Sequence, residues 1–324
     1  MAYPAFIIGS LNLSTSHFDD NFYLARKSQA LHLRAKLIQN IRHFFIDQDF
    51  LEVETPIRIP SPAPEEHIEA IPSGDWFLQT SPELCMKRLL AAGYPRIFQI
   101  CKCFRAAERG NLHLPEFSML EWYVAKFDYS QLMEQCETML IAVFKEMGVS
   151  ENISWSNREI DLTPPWERLT VAQSFVNYAP LSCQEALKQD KFDEIMVEYI
   201  EPQLGVNRPV FIYDYPSSLA SLAKLKKSDP TVAQRFELYM FGVELANGFS
   251  ELTDAKEQRE RFEKASQTRS QKKWADYPQP QKFLEALKSM PEAAGIALGI
   301  DRLVMLLTNI IQIDDIVAFT PEIL

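Results

Sequence analysis

Between Ser28 and Asp47 the apolar positions Leu33, Leu37, Ile41 and Phe45 recur at helical spacing, which predicts an amphipathic helix. The period then drops to two. From Phe50 to Pro56, Leu51 and Val53 alternate with Glu52 and Glu54, a strand pattern that Pro56 ends. The Pro-rich run from Pro56 to His67 predicts a loop. A second helix is predicted from Ser81 to Ala92, with Ser81 as N-cap, Pro82 at the first helical position and Glu83 in the first turn. Arg96 to Arg105 and Glu116 to Phe127 read as two long strands around a polar loop holding Gly110, Asn111 and His113. Tyr129 to Met147 predicts a helix. Ser154 to Asp229 reads as short helices and a strand at Pro209–Pro216. Asp254 to Trp274 reads as a charged, exposed helix in which Glu257 and Arg261 lie one turn apart. In Phe236 to Leu252, a two-residue turn at Phe241-Gly242 would pair Tyr239 with Glu244 and Glu237 with Ala246. Glu237, Tyr239 and Glu244 would then share one face of a hairpin.

Antiparallel strand pairs mixed with helices, without regular β-α-β alternation, predict an α+β fold: an antiparallel β-sheet flanked by helices. The pattern divides the chain into an N-terminal arm, residues 1–27, and a domain over residues 28–324. A net charge of −11 argues against general nucleic-acid affinity, which needs a basic face. The first residues lack the basic and apolar segments of a secretory signal, and no apolar run is long enough for a bilayer. Five cysteines without a C-x-x-C pair predict reduced thiols, hence a cytoplasmic protein. Cys101 and Cys103 share a strand face without the further ligands a metal site needs.

Candidate chemistry concentrates in three stretches. Arg105 ends an apolar strand, where a guanidinium can hold a phosphate and a carboxylate by paired hydrogen bonds; an ion pair with Glu108 or Glu116 is the alternative. Arg302 follows Gly295 and Gly299, whose spacing permits either close ligand approach or tight packing. Glu237, Glu244 and Glu251, seven apart, form either a solvated acidic face or, for the first two, a seat for nucleotide-borne Mg²⁺. His113 reads as an ordinary loop histidine. No P-loop or Gly-x-Gly-x-x-Gly cradle is present, so any ATP site must be of another kind.

These stretches resemble the catalytic core of the class II aminoacyl-tRNA synthetases, the lysyl type in particular. FLEVETP resembles the first motif of that class, FRAAERGNLHLPEFSMLEWY (Phe104 to Tyr123) the second and GIALGIDR (Gly295 to Arg302) the third. TSPELCMKRLL and ELANGFSEL are similar to the lysine-specific signatures. The core begins too early to leave room for an anticodon-binding domain, so the chain is similar to the truncated paralogues that attach lysine or β-lysine to a lysine side chain of elongation factor P. Such a resemblance implies ATP and Mg²⁺ as cofactors, elongation factor P rather than tRNA as acceptor, a homodimer, and no membrane. It implies that Arg105 and Arg302 are the catalytic pair. Glu108, Glu244, Leu245 and Gly299 would complete the ATP site, and Glu237 and Glu244 would hold the metal. Ser81, Pro82, Glu83, Glu121, Tyr123, Asn247, Glu251 and Ala297 would bind the amino acid. Ala297 stands where lysyl-tRNA synthetases usually carry Gly, and one methyl in such a pocket is worth about 1–3 kcal/mol. Ala106, Ala107 and Leu114 depart from the paralogue pattern on the nucleotide side. Two other readings remain open from the residues: a compact synthetase charging a tRNA or another acceptor, and a non-catalytic amino-acid-binding protein.

Overall fold

A two-residue alternation along each strand sorts side chains to opposite faces of one central sheet, and that sorting separates core from cavity. The computed structural model describes residues 20–149 and 151–324. In spatial order the sheet runs β1 (Leu51–Glu52), β2 (Arg96–Phe104), β3 (Glu116–Ala125), β8 (Ala293–Gly299), β7 (Val243–Ser250), β6 (Asp229–Met240), β5 (Val210–Pro216) and β4 (Glu167–Thr170). A short ninth strand, Leu225–Lys226, lies beside β6. The six inner pairings described are antiparallel for β2–β3, β3–β8, β8–β7, β7–β6, β6–β5 and β6 with its short neighbour. The outermost pairs, β1 with β2 and β4 with β5, are parallel. The antiparallel sheet expected from the sequence is therefore mixed at both edges.

Helices α2 (Ser28–Asp47), α4 (Tyr129–Glu146) and α6 (Ile300–Thr308) cover one face. Leu37, Ile41 and Phe45 of α2 are buried there. Phe45 stacks on Phe98 at 4.8 Å and packs against Trp122 at 5.2 Å. Leu120, Trp122 and Val124 of β3 and Ala294, Ile296 and Leu298 of β8 supply the sheet's side of this core. Each large apolar side chain buried this way contributes about 1.5–3 kcal/mol. Arg34 of α2 ties the layers together: it bonds Asp301 at 2.5 Å and Ser118 Oγ at 2.7 Å, while Asp301 also accepts from the Ser118 amide at 2.6 Å. On the other face lie α3 (Glu83–Ala91) and α5 (Ala255–Gln271).

The expected N-terminal arm falls largely outside the described residues, but its last part, Asp20–Arg26, is a short helix, α1, rather than irregular chain. Two further expectations are corrected. The second predicted helix starts at Glu83, not Pro82, yet Ser81 Oγ still accepts the Glu83 amide at 3.0 Å. The hairpin turn is at Phe241-Gly242, both with positive φ (56° and 79°), and Tyr239 does pair with Glu244. Beyond it, however, Leu245 bulges out of β7, so Glu237 pairs with Asn247 instead of Ala246.

Candidate functional site

Strand register lines up the chemistry. One row across the sheet reads Gln99, Glu121, Ala297, Asn247 and Glu237; the next reads Ile97, Tyr123, Gly295, Phe249 and Arg235. At the usual spacing of neighbouring strands, Glu121 and Glu237 lie roughly 14 Å apart on the same face. Above these rows opens a cavity of about 760 Å³. Ser81, Glu83, Arg105, Glu108, Glu121, Tyr123, Glu237, Glu244, Leu245, Asn247, Ala297, Gly299 and Arg302 all line it. Two residues predicted for the site are not on its wall. Pro82 is turned into the start of α3, and Glu251 is buried behind the wall.

At one end sits an acidic nest. Glu121 accepts hydrogen bonds from Ser81 (2.5 Å) and Tyr123 (2.8 Å). Lys87, one turn along α3 from Glu83, bonds Glu83 at 2.5 Å and also Glu251; it is almost fully buried and lies 4.9 Å from the Phe249 ring. Burial opposes its charge, but the two carboxylates outweigh that and hold its pKa above the ordinary value. Sequence reasoning missed Lys87, although its i,i+4 spacing from Glu83 was visible. Glu121 is pushed up to about 7 by burial and then by Glu83, and Glu251 to about 8 by burial against which Lys87 works.

A raised carboxyl contributes stability that is complete at pH values below the ordinary glutamate range and is lost as pH rises through its folded value, here about 7 and 8. The free protein is therefore expected to melt a few degrees lower at about pH 8.5 than at about pH 6. A diamino acid such as lysine should narrow that gap, and Glu121→Gln should remove part of it. Differential scanning calorimetry checks this; a midpoint that does not move between these pH values would refute it.

Gly295 makes the nest possible. A Cβ there would overlap the Tyr123 ring and lie 2.6 Å from Glu251 Oε1, which has no hydrogen-bond partner. Gly295→Ala is expected to cost about 1–3 kcal/mol and to weaken amino-acid binding, since Tyr123 must move. Denaturant unfolding and the KM for the amino acid read both effects; an unaltered KM would show that Tyr123 can give way freely.

The middle of the cavity is cationic. Arg105 lies 5.1 Å from the Phe117 ring and 3.5 Å from Glu108, while Glu116 pairs instead with Lys102. The buried Nε of Arg105 has no partner. An unspent guanidinium N–H in a cavity suits a phosphate or carboxylate oxygen. Arg302 donates to the Glu244 carbonyl (2.7 Å) and carboxylate (3.3 Å) and meets His113 Nε2 at 2.5 Å. His113 is thus part of the cavity wall, not the ordinary loop residue its sequence suggested. Burial and then Arg302 lower its pKa, so its neutral ring can accept from the guanidinium. Gly299 faces open space, where a side chain would approach Arg302 only at ordinary contact distance. Leu114 lines the cavity, whereas Ala106 and Ala107 do not; Ala107 has a φ of 62°, which costs a non-glycine residue about 1–2 kcal/mol.

At the far end, Glu237 accepts from Arg235 (2.8 Å), Asn247 (3.1 Å), Tyr215 (2.5 Å) and Tyr239 (2.9 Å). Four donors fill both oxygens, leaving no lone pair directed at a cation. Glu244 keeps acceptor capacity, but the two-glutamate metal seat expected from sequence is not preformed. Among the described residues no group of three His, Cys, Asp or Glu side chains could hold a metal ion, and no helix is long and apolar enough to cross a membrane.

A family model described as tRNA synthetases class II (D, K and N) matches residues 18–322. The chain is 40% identical over 303 residues to a protein of Proteus mirabilis named elongation factor P–(R)-β-lysine ligase, covering 88% of this chain and 93% of that one. Proteins of the same name from Pectobacterium carotovorum and Erwinia tasmaniensis are 39% and 38% identical, each over 306 residues, 89% of this chain and 94% of theirs.

Proposed function

Since the chain belongs to the class II aminoacyl-tRNA synthetases of the aspartyl, lysyl and asparaginyl group, we propose that it is an ATP-dependent ligase. It activates lysine or β-lysine as an aminoacyl-adenylate and passes the acyl group to a lysine side chain of elongation factor P. The observation that carries this reading is the pairing of an acidic nest with an unspent guanidinium: Glu83 and Glu121 on the wall at one end of the cavity with Glu251 buried behind them, and Arg105 in the middle. A diamino acid fits that polarity, with its ammonium groups in the nest and its carboxylate on Arg105.

The chemistry needs no protein nucleophile. The substrate carboxylate attacks the α-phosphorus of ATP in line and pyrophosphate leaves. Arg105 and Arg302 offset the charge that develops on the phosphoryl oxygens. Glu244 is the carboxylate that would hold a Mg²⁺ carried by the nucleotide, which would supply charge neutralisation at the phosphates. Glu108, Leu245 and Gly299 line the cavity near Arg105 and Arg302, which supports their bordering the nucleotide. Ala297 adds one methyl to the row between Glu121 and Asn247, where the backbones of α- and β-lysine differ. Exposed Ile46, Leu51 and Ile57 around the first motif support a homodimer, and reduced cysteines support a cytoplasmic setting.

Incubation with ATP and radiolabelled lysine or β-lysine, adding either elongation factor P or bulk tRNA, tests the proposal. Label on the protein is expected. Label on RNA instead would make this a compact synthetase, and absence of any adenylate would make it a non-catalytic binder.

A further inference from the structure

Beside the acidic nest, whose Glu251 lies behind the cavity wall, the wall carries a further carboxylate, Glu65. Glu83, Glu121 and Glu251 are matched by Lys87 and the two ammonium groups of the substrate. Glu65 is the fourth. It comes from the loop over residues 60–70, which contributes one wall of the cavity. That wall is held from behind. The fully buried Arg269 of α5 donates to the carbonyls of Glu65 (2.9 Å) and Ile68 (2.7 Å), Lys272 donates to that of Glu66 (3.1 Å), and the Ala70 amide donates to Tyr277 (2.7 Å).

The charged groups that face Glu65 are Glu83 and Lys87 of α3, Arg105 at the end of β2 and Arg235 of β6. Each of these cations is paired elsewhere: Lys87 with Glu83 and Glu251, Arg105 with Glu108, Arg235 with Glu237. Glu65 therefore lines the cavity within reach of the charges of both the carboxylate clamp and the amine nest, between which the ligase reading puts the activated acyl carbon, and among the described residues no salt bridge gives it a counter-ion. Glu201, on the same wall, faces Glu237, Glu244 and Arg302 at the phosphate end instead.

We propose that Glu65 is the general base of the transfer step, receiving the acceptor lysine's ammonium and taking its proton. This inference rests on the ligase reading. The acceptor enters as R–NH3⁺ and loses one proton to the Glu65 carboxylate. The free amine attacks the acyl carbon of the adenylate, and a C–N bond forms. The bond from the acyl carbon to the phosphate oxygen breaks, AMP departs with that electron pair, and the second N–H proton leaves to water. Glu65 returns its proton to water. Burial, and then Glu83, lift the Glu65 carboxyl to about 7, near the value a base working at neutral pH requires.

Glu65→Gln separates the half-reactions. In the variant, ATP–pyrophosphate exchange and capture of the adenylate by hydroxylamine, a nucleophile already neutral near pH 7, should fall by no more than about threefold. Single-turnover transfer to elongation factor P at pH 7 should fall by about 10²–10⁴-fold. Wild-type transfer should rise with pH and level off above about 8, whereas the variant's should keep rising about tenfold per pH unit as free amine accumulates. Equal loss of exchange and transfer would assign Glu65 to binding the amino acid. Transfer at the wild-type rate, or pH profiles of the same shape, would make it structural. Either result overturns the proposal. Failure of the ligase reading itself looks different: wild-type protein that forms hydroxamate but labels no elongation factor P.

Discussion

Arg105→Lys is expected to lower ATP–pyrophosphate exchange by about 10²–10³-fold, with the melting midpoint little changed. Arg105 is held loosely. Its contact with Glu108 is long, its ring partner Phe117 lies on one side, and its buried Nε bonds nothing. Little of the fold depends on it, while both carboxylate and α-phosphate would draw on its planar fork. Lysine keeps the charge but offers one point donor, so it can follow one of those partners, not both. The loss should appear mainly in kcat, because the paired geometry matters most as charge builds on the phosphoryl group. Exchange within threefold of wild type would move the reacting phosphate away from Arg105.

Lys87→Met should act in the opposite way, on the fold first. The ammonium is buried between Glu83 and Glu251, and above the value of about 8 to which Glu251 is raised, removing it strands two carboxylates in a low-dielectric setting. Breaking such a pair from one side costs about 3–5 kcal/mol. In a protein of this size that lowers the melting midpoint by roughly 4–7 °C. Adding Glu251→Gln to the variant should restore much of the loss, since the stranded charge is then gone. Both variants should fail to bind a diamino acid tightly, because the nest is no longer held in shape. Denaturant unfolding of the single and double variants decides; a single variant as stable as wild type would mean that Glu251 stays protonated and needs no partner.

The contrast between these residues explains what the sequence could tell. Helix α2, the β2–β3 hairpin and the Phe241-Gly242 turn were legible because period and turn chemistry are local. The cavity-wall residues of the second and third motifs were legible because the resemblance singled them out. Lys87, Glu65 and Tyr215 on Glu237 were not. Their meaning comes from partners far away in sequence: Glu251 for Lys87, Arg269 for the loop of Glu65, and Tyr215 for Glu237. The bulge at Leu245 was equally invisible, since an extra residue in one strand leaves the apolar alternation on either side intact.

The Arg269 anchorage also bears on rates. A wall fastened by a buried guanidinium to two of its own carbonyls is already in its working position before ligand arrives. Capture of the amino acid then involves no closing of that wall, and its entropy of ordering is not charged against affinity. Encounter is left to diffusion guided by charge, an acidic protein drawing in a substrate of net positive charge. Entry should therefore slow as ionic strength rises, while the rate of escape, set by contacts inside the nest, stays nearly constant.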